Sequence, residues 1–461
     1  MSLVRTLARF AHDCGGALRG EDRPFTGVSI DTRTLQGGEL FVALRGPRFD
    51  GAQFLSAALE RGAAGVVLER EQPLALAQIV VADTLQALQC AAQVRRTAAP
   101  IPVVGVAGSN GKTTTKEMTA AILSQRGECL ATRGNLNNHI GVPLTLLRLE
   151  PRQRGAVIEM GANRAGEVAE LVRIARPTVG LITNAGAEHL EGFGTLEGVA
   201  RAEGEAVAGL EPAATAVLNA DDPFLDLWRG MTAARCVTFG FAPAASFHAG
   251  ELQSSLASEG FRTRFTLTCA LGAAPIELHF GGRHNVLNAL AAAAAAASAG
   301  ASLAQIAAGL ASVRPVSGRL QPKQTEGGAW ILDDSYNANP SSVRSGIEVL
   351  ASLPERRWLV LGDMAELGEF AEDSHVQIGA FAREHGIERL YATGPLAALA
   401  VERFGAGARW FPEAEVLIEA LRAALGEAGP GVYVLVKGSR INRLERVVAA
   451  LVGDAGQPEA H

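Results

Sequence analysis

The stretch "VVGVAGSNGKTTTKEM", Val103 to Met118, decides how this chain is read. Its apolar run, Val103 to Ala107, predicts a buried strand, and the residues after Lys112 predict a helix. A phosphate-binding loop is usually written G-x-x-x-x-G-K-[ST], but the position five before Gly111 is Val106, so the usable pattern is Gly108-x-x-Gly111-Lys112-Thr113. The context still suits phosphate. Backbone N–H groups of Gly108, Ser109, Asn110 and Gly111 can turn inward on phosphate oxygens, and Thr114 lies in the first turn of a helix whose N-terminus favours anions. Lys112 is placed to reach the β- and γ-phosphates of ATP, and the Thr113 hydroxyl to ligate Mg²⁺. The alternative is an ordinary glycine-rich strand-to-helix turn. Lysine usage favours the first reading: Lys112, Lys116, Lys323 and Lys437 are the only lysines among 42 basic residues, which suggests that the loop needs a compact ammonium.

The surroundings are those of a multidomain α/β enzyme. With 461 residues, of which 48% are hydrophobic and 20% charged, the chain can bury several cores. About three domains are expected. A net charge of −6 and the absence of a Lys/Arg cluster argue against nucleic acid or anionic lipid as partners. Five scattered cysteines, never in a C-x-x-C pair, signal neither a disulfide framework nor a zinc site. The N-terminus does not read as a signal peptide, because Leu3, Leu7, Phe10 and Cys14 recur at helical spacing. Ala289 to Leu310 is long and apolar, but it is mostly alanine and is interrupted by Gly300, so it predicts two packed helices rather than a membrane span. A cytoplasmic monomer without stable membrane association is expected.

Along the chain, residues 1–99 read as a small mixed α/β unit, with "AAPIPVV" as the linker after it. Residues 100–314 alternate buried strands with helices, as in a parallel sheet: Val103 to Ala107, Ala156 to Glu159 and Val179 to Thr183 are the strands. The finer alternation of residues 235 to 280 predicts an antiparallel insertion. Residues 315–461 form a second alternating series, with strands in "AWILDDSY", "RWLVLGD", "RLYATG" and "VYVLVKGS". In "NPSS", Asn339 is placed to cap a helix with Pro340 in its first turn.

In parallel sheets ligands sit beyond the C-terminal strand ends. Glu159 closes one predicted strand and His189 follows another, so both face the loop and can complete a metal site with Thr113. A solvated loop histidine is the bland reading of His189, and Glu188 and Glu191 are near enough to share its role. These residues reach an ATP- and Mg²⁺-dependent phosphoryl transfer without a substrate.

The segments "DTRTLQGGELFVALRGPRFDG", "GSNGKTTTKEM", "GNLNNHIGVPLTLLRL", "IEMGANRAGE", "AEHLEGFG", "GRHNVLNALAA", "SGRL", "DDSYNANP", "GDMAELG" and "VKGSR" together resemble the Mur ligases, ATP-dependent amide-forming enzymes of peptidoglycan precursor synthesis. That family's loop reads G-x-x-G-K-T. The likeness is greatest to the branch that joins D-alanyl-D-alanine to UDP-N-acetylmuramoyl-tripeptide. It implies three domains: a small mixed one, a central P-loop-type sheet and a Rossmann-like C-terminal sheet. It implies that Ser29, Asp31, Thr32, Arg33, Arg45 and Gly46 hold the UDP-sugar, although Asp31 and Arg33 also read as an exposed turn pair. Asn135, Asn137 and Asn138 would line the cleft near the muramyl chain, or form an asparagine-rich turn. His284 and Asn285 would meet the adenine and ribose, with a helix cap as the alternative for Asn285. Arg319, Asp334, Tyr336 and Asn337 would complete the ATP and dipeptide side, and Lys437, Ser439 and Arg440 would recognise substrate or phosphate.

The likeness also exposes a departure. Many Mur ligases carry a carbamylated lysine where "GVARAEGEAVAG" places Glu203, and this chain has no lysine between Lys116 and Lys323. Either Glu203 supplies the missing negative charge, or it is a solvated helix residue and the metal is held by Glu159, Thr113 and His189 alone. Other amino-acid-adding Mur ligases, folylpolyglutamate synthetase, a nucleotide-gated binding protein and a P-loop kinase are the competing functions.

Overall fold

A computed structural model describes residues 5–46, 49–188, 190–354 and 356–452. Among them three main sheets follow one another along the chain, and a two-stranded ribbon pairs Arg45–Gly46 with Phe49–Asp50. The N-terminal sheet has the order Ala17–Arg19, Gln78–Val80, Gly65–Leu68, Leu40–Val42, Val28–Ser29; its first pair is antiparallel and the rest are parallel. It is tied to the central sheet through helix Thr84–Ala98. Arg96 on that helix, buried, donates to the carbonyls of Ala175 (2.9 Å) and Arg176 (3.1 Å), where a cation complements the C-terminal end of helix Glu167–Ala175.

The central sheet has the strand order Gly272–Leu278, Gly260–Cys269, Phe247–Ala257, Arg235–Gly240, Thr215–Asn219, Val179–Ile182, Val103–Ala107, Gly155–Glu159, Cys129–Ala131. Strand Val103–Ala107 lies between Gly155–Glu159 and Val179–Ile182, and all residues of these three strands are buried. That is why their sequences are continuous apolar runs rather than alternating ones. The register pairs Glu159 with Val106 and Ile182 with Ala107, so the loops that leave all three strands emerge side by side. The antiparallel expectation for residues 235 to 280 needs correction at its start. Arg235–Gly240 runs parallel to Thr215–Asn219, and antiparallel pairing begins only between Phe247–Ala257 and Gly260–Cys269. Arg235–Gly240 is exposed at Arg235 and Cys236 and buried from Thr238 on, where it extends the main sheet, whereas the polar–apolar alternation belongs to Gly260–Cys269.

Helices Arg283–Ser298 and Leu303–Ser312 are the expected pair, separated at Gly300 (φ +91°) and restarted by a Ser302/Gln305 capping box. Ala289 to Ala296 are all buried, so the alanine run forms part of the core against loop helix Lys112–Ser124. Among the described residues no helix is long and apolar enough to cross a membrane.

The C-terminal sheet has the order Gln321–Gln324, Trp330–Asp334, Tyr433–Lys437, Arg357–Gly362, Arg389–Thr393, Ala408–Phe411; only the first strand is antiparallel. Asn339 caps helix Pro340–Ala351 as expected, accepting from Ser342 N at 2.8 Å with Pro340 in the first turn. The hairpin formed by Phe247–Ala257 and Gly260–Cys269 places Phe261 in the C-terminal core beside Leu332 and Val349.

Candidate active site

The phosphate loop is fixed from several sides. Gly108 (φ +118°) and Gly111 (φ +82°) occupy backbone conformations that favour glycine, and a Cβ would lie 2.1 Å from Thr183 Oγ1 at the first and 2.2 Å from Asn288 Oδ1 at the second. The Asn184 side chain holds the backbone of Asn110 at both ends, accepting from its N–H (3.0 Å) and donating to its carbonyl (2.9 Å). Thr183 Oγ1 donates to the same carbonyl at 2.7 Å. Ser109 Oγ accepts from Gly186 N at 2.8 Å, which joins the loop to the segment after strand Val179–Ile182.

Lys112 Nζ donates to the carbonyls of Gly108 (2.6 Å) and Ser109 (3.0 Å) and lies 3.3 Å from Glu188 Oε1. Glu203, on helix Leu196–Ala208 and 3% exposed, accepts from Gly108 N through Oε2 at 2.6 Å. Gly108 is therefore held at its N–H by Glu203 and at its carbonyl by Lys112. Burial alone would lower the Lys112 pKa, but Glu188, Glu203 and Glu159 outweigh it, and the ammonium is held above the ordinary lysine range. Burial pushes Glu203 up to about 7 despite the pull of Lys112, and Glu188 adds to the rise. The two directions share one setting: a single ammonium lies among several carboxylates, and burial of Glu203 outweighs the pull of that ammonium.

Strand Gly155–Glu159 brings Glu159 to the loop, where Asn137 Nδ2 fixes one carboxylate oxygen by donating to Oε1 at 2.9 Å. The other oxygen, Oε2, is buried without a hydrogen-bond partner. An orphaned carboxylate oxygen and a local excess of negative charge fit a cation. Among the described residues no cluster of three or more His, Cys, Asp or Glu could enclose an ion unaided. Mg²⁺ commonly takes only one or two carboxylates and completes its shell with phosphate and water, so Glu159 with the Thr113 hydroxyl is a sufficient protein contribution.

The C-terminal sheet closes the other side. Arg319 Nη2 reaches Thr113 Oγ1 at 3.5 Å, and its guanidinium lies over the Tyr336 ring at 4.1 Å. Buried Lys437 donates to Asp334 Oδ2 at 2.6 Å and to the Asn337 carbonyl at 3.1 Å. His284 contacts Asn285 Nδ2 through Nε2 at 3.1 Å, and burial lowers its pKa to about 4, so the ring is neutral at pH 7. Between these groups lies a cleft of about 580 Å³, lined from the loop, from Asn135, Asn137 and Asn138, and from the strand ends of both the central and C-terminal sheets.

Comparison with known proteins identifies the family of the chain. The Mur ligase middle domain profile matches residues 106–296, the Mur ligase glutamate ligase domain profile residues 318–440, and the profile described as the Mur ligase family catalytic domain residues 24–109. The UDP-N-acetylmuramoyl-tripeptide--D-alanyl-D-alanine ligase of Escherichia coli (strain K12) is 44% identical over 448 residues, 97% of this chain and 98% of that protein. The chain belongs to the Mur ligase family. The ligase of the same name from Bacillus subtilis (strain 168) is 35% identical, covering 98% of this chain and 99% of its own. The crystal structure of MurF from Acinetobacter baumannii superposes with a TM-score of 0.90 at 32% identity, covering 97% and 99% of the two chains. MurF from Thermotoga maritima, solved in complex with ADP, gives 0.82 at 28% identity, covering 92% and 96%. This Mur ligase thus has the three-domain α/β fold of its relatives.

Of the residues singled out in the sequence, this Mur ligase gathers Ser109 to Thr114, Asn135, Asn137, Asn138, Glu159, His284, Asn285, Arg319, Asp334, Tyr336, Asn337 and Lys437 around the cleft. His189 lies outside the described residues. Glu203 is not the solvated helix residue of the alternative reading: it is buried behind the loop and does not line the cleft. Asn285 is not a helix cap either. It lies inside helix Arg283–Ser298 and donates to the Gly281 carbonyl at 2.8 Å, because Gly282 starts that helix without a side-chain cap. Asn138 does serve its turn, accepting from Gly141 N at 2.9 Å at the start of helix Gly141–Leu147. Ser439 lies off the cleft, with its hydroxyl between Ala365 N (2.9 Å) and the Ala338 carbonyl (3.1 Å), and Arg440 is exposed with its guanidinium 5.6 Å from the Tyr336 ring.

The candidate UDP-sugar residues belong to the N-terminal sheet and its turns and do not line this cleft. Ser29 Oγ accepts from Asp31 N at 3.2 Å, Thr32 is buried, and the Arg33 side chain pairs with Asp31 at 2.6 Å, holding that carboxylate down to about 2. Arg45 pairs with Glu69 at 3.3 Å, and Gly46 is exposed. The sequence reading missed Thr183, Asn184, Gly186 and Asn288, all of which shape the loop. "LITNAG" offered one signal: polar residues directly after a buried strand beside the loop strand.

Proposed function

We propose that this Mur ligase joins D-alanyl-D-alanine to UDP-N-acetylmuramoyl-tripeptide at the expense of ATP, giving UDP-N-acetylmuramoyl-pentapeptide for peptidoglycan. The observation that carries the reading is the single cleft in which a phosphate loop, an orphaned Glu159 oxygen and the Asp334, Asn337 and Lys437 cluster face one another. The division into 1–99 for the UDP-sugar, 100–314 for ATP and 315–461 for the acceptor side belongs to the same proposal, as do a monomeric state and a cytoplasmic location.

In the first step a carboxylate oxygen of the tripeptide attacks the γ-phosphorus of ATP, ADP leaves, and an acyl phosphate forms. In the second, the dipeptide amine attacks the acyl carbon, the C–O bond to phosphate breaks, and the amine loses a proton. Lys112 would offset charge that grows on the transferring phosphoryl group; because the N–H groups of Gly108, Ser109 and Asn110 are taken by Glu203 and Asn184, the N-terminus of helix Lys112–Ser124 is the backbone element that faces its oxygens. Glu159, fixed by Asn137, and Thr113 would hold Mg²⁺, which when bound neutralises phosphate charge. Arg319 and Tyr336 reach toward the nucleotide side from the C-terminal sheet, which also limits water near the acyl phosphate.

The test is product formation. Enzyme, ATP, Mg²⁺ and D-alanyl-D-alanine offered with UDP-muramoyl-tripeptides that differ at their third residue should yield pentapeptide by mass spectrometry with at least one of them. ADP formation with no new amide from any tripeptide would overturn the proposal.

A further inference from the structure

Two contacts cross from the phosphate loop to the C-terminal unit through one side chain. Asn110 Oδ1 accepts from Asn339 Nδ2 at 2.8 Å, and Asn110 Nδ2 donates to Ser341 Oγ at 3.0 Å. Both ends of the amide are used, so its orientation is set by its partners. The backbone of the same residue is clamped by Asn184 and Thr183, so the loop cannot shift at this point without breaking three further bonds. On the far side, Ser341 Oγ lies 3.0 Å from Asn339 Oδ1, the oxygen that caps helix Pro340–Ala351. Gly186 completes the seat: a Cβ there would come within 2.9 Å of Asn110 Nδ2 and 3.0 Å of Ser341 Oγ, so the close approach depends on glycine.

We infer that Asn110 is a positioning residue whose side-chain amide seats the first turn of helix Pro340–Ala351 on the phosphate loop, and so sets the distance between the ATP side and the acceptor side of the cleft. This rests on the ligase reading for its consequence in turnover, and on the hydrogen bonds alone for its consequence in shape. Asn110 is the residue of the loop that is anchored to the central sheet by its backbone and to the C-terminal unit by its side chain. An ordered loop then presents the acceptor side in register. Asn339 has a double duty that its place in the sequence does not reveal, as helix cap and as docking partner.

Asn110→Ala, Ser341→Ala and the double variant test this. Ser341→Ala leaves the Asn339 cap bond to Ser342 N in place, so it probes docking without removing the helix start. Each single variant should lower kcat about tenfold, the scale of one or two lost hydrogen bonds, while ATP affinity measured without acceptor changes less than about threefold. Because the two side chains share one interaction, the double variant should be no worse than about twofold below the weaker single variant. Small-angle scattering should give a larger mean radius of gyration for every variant than for the wild type. Losses that multiply in the double variant, losses confined to ATP affinity, or unchanged scattering would each overturn the inference. If the wild type itself shows no acceptor-dependent turnover, the ligase reading fails, and the scattering comparison still decides the docking seat.

Discussion

Replacing Glu203 by glutamine separates the two things this carboxylate does. The amide keeps an oxygen to accept from Gly108 N–H, now at 2.6 Å from Oε2, and removes the charge behind Lys112. Burial holds the folded-state pKa near 7 against an ordinary 4.5. A raised carboxylate pKa means that the fold prefers the protonated form, so the contribution of this group to stability is fully present below about pH 4.5 and is lost as pH rises through 7. At about 1.4 kcal/mol per unit, the wild type should lose roughly 3 kcal/mol relative to Glu203→Gln between pH 4.5 and 8. Trp228 is a suitable local reporter, being buried and donating to the Ala200 carbonyl at 2.8 Å on the helix that carries Glu203. Urea unfolding followed by ¹⁹F NMR of 5-fluorotryptophan at that position, at pH 5 and pH 8, gives the difference. A gap between the two proteins that changes by less than about 1 kcal/mol would refute the reasoning. In turnover, a bond from Gly108 N–H to an ionised carboxylate is about 1 kcal/mol stronger than one to a neutral oxygen, so kcat at pH 8 should fall about five- to tenfold in the variant. A normal kcat with normal Mg²⁺ dependence would show that the charge is idle.

Asn137→Ala should leave Glu159 unoriented and raise the Mg²⁺ concentration for half-maximal turnover about tenfold, with kcat at saturating Mg²⁺ within about threefold of the wild type. Magnesium titration of the rate checks this, and an unchanged half-maximal concentration would count against Glu159 as a metal ligand. Gly111→Ala places a Cβ 2.2 Å from Asn288 Oδ1 at a φ of +82°, so ATP affinity by calorimetry should fall about a hundredfold; retained affinity would mean that the nucleotide does not use this loop. Burial lowers His284 to about 4, so its contribution to stability is present above the ordinary 6.5 and is lost as pH falls toward 4. The decline in melting temperature over that window should be shallower in His284→Asn, and scanning calorimetry at pH 7, 5.5 and 4.5 would detect an unaltered slope.

Much of the fold was legible because buried parallel strands leave continuous apolar runs, as at Val103–Ala107 and Gly155–Glu159. Local chemistry was legible too, as in the Asn339 cap with Pro340 behind it. The edge strands Gln321–Gln324 and Ala408–Phe411 were not: the first is short and polar, and the second is four residues long with Arg409 and an exposed Trp410 at its centre. The clamp of Asn184 on Asn110 spans 74 residues and obeys no period, so only the sheet register reveals it. Glu203 misleads for a related reason. Its neighbours Arg201 and Glu205 are polar, which reads as a solvated face, yet the helix turns Glu203 inward to the loop while Arg201 pairs outward with Glu197 at 2.7 Å. The glycine offset at Val106 has a simple physical reading: Val106 belongs to the strand, and the phosphate cradle begins at Gly108.

The central claim is that this loop holds ATP to activate a carboxylate, and the fate of one oxygen tests it directly. With ¹⁸O in the terminal carboxylate of UDP-muramoyl-tripeptide, turnover with ATP and D-alanyl-D-alanine should transfer one labelled oxygen to each inorganic phosphate released, leaving the other in the new amide. Phosphate that carries no label would contradict an acyl phosphate and, with it, the role assigned to Lys112 and its loop.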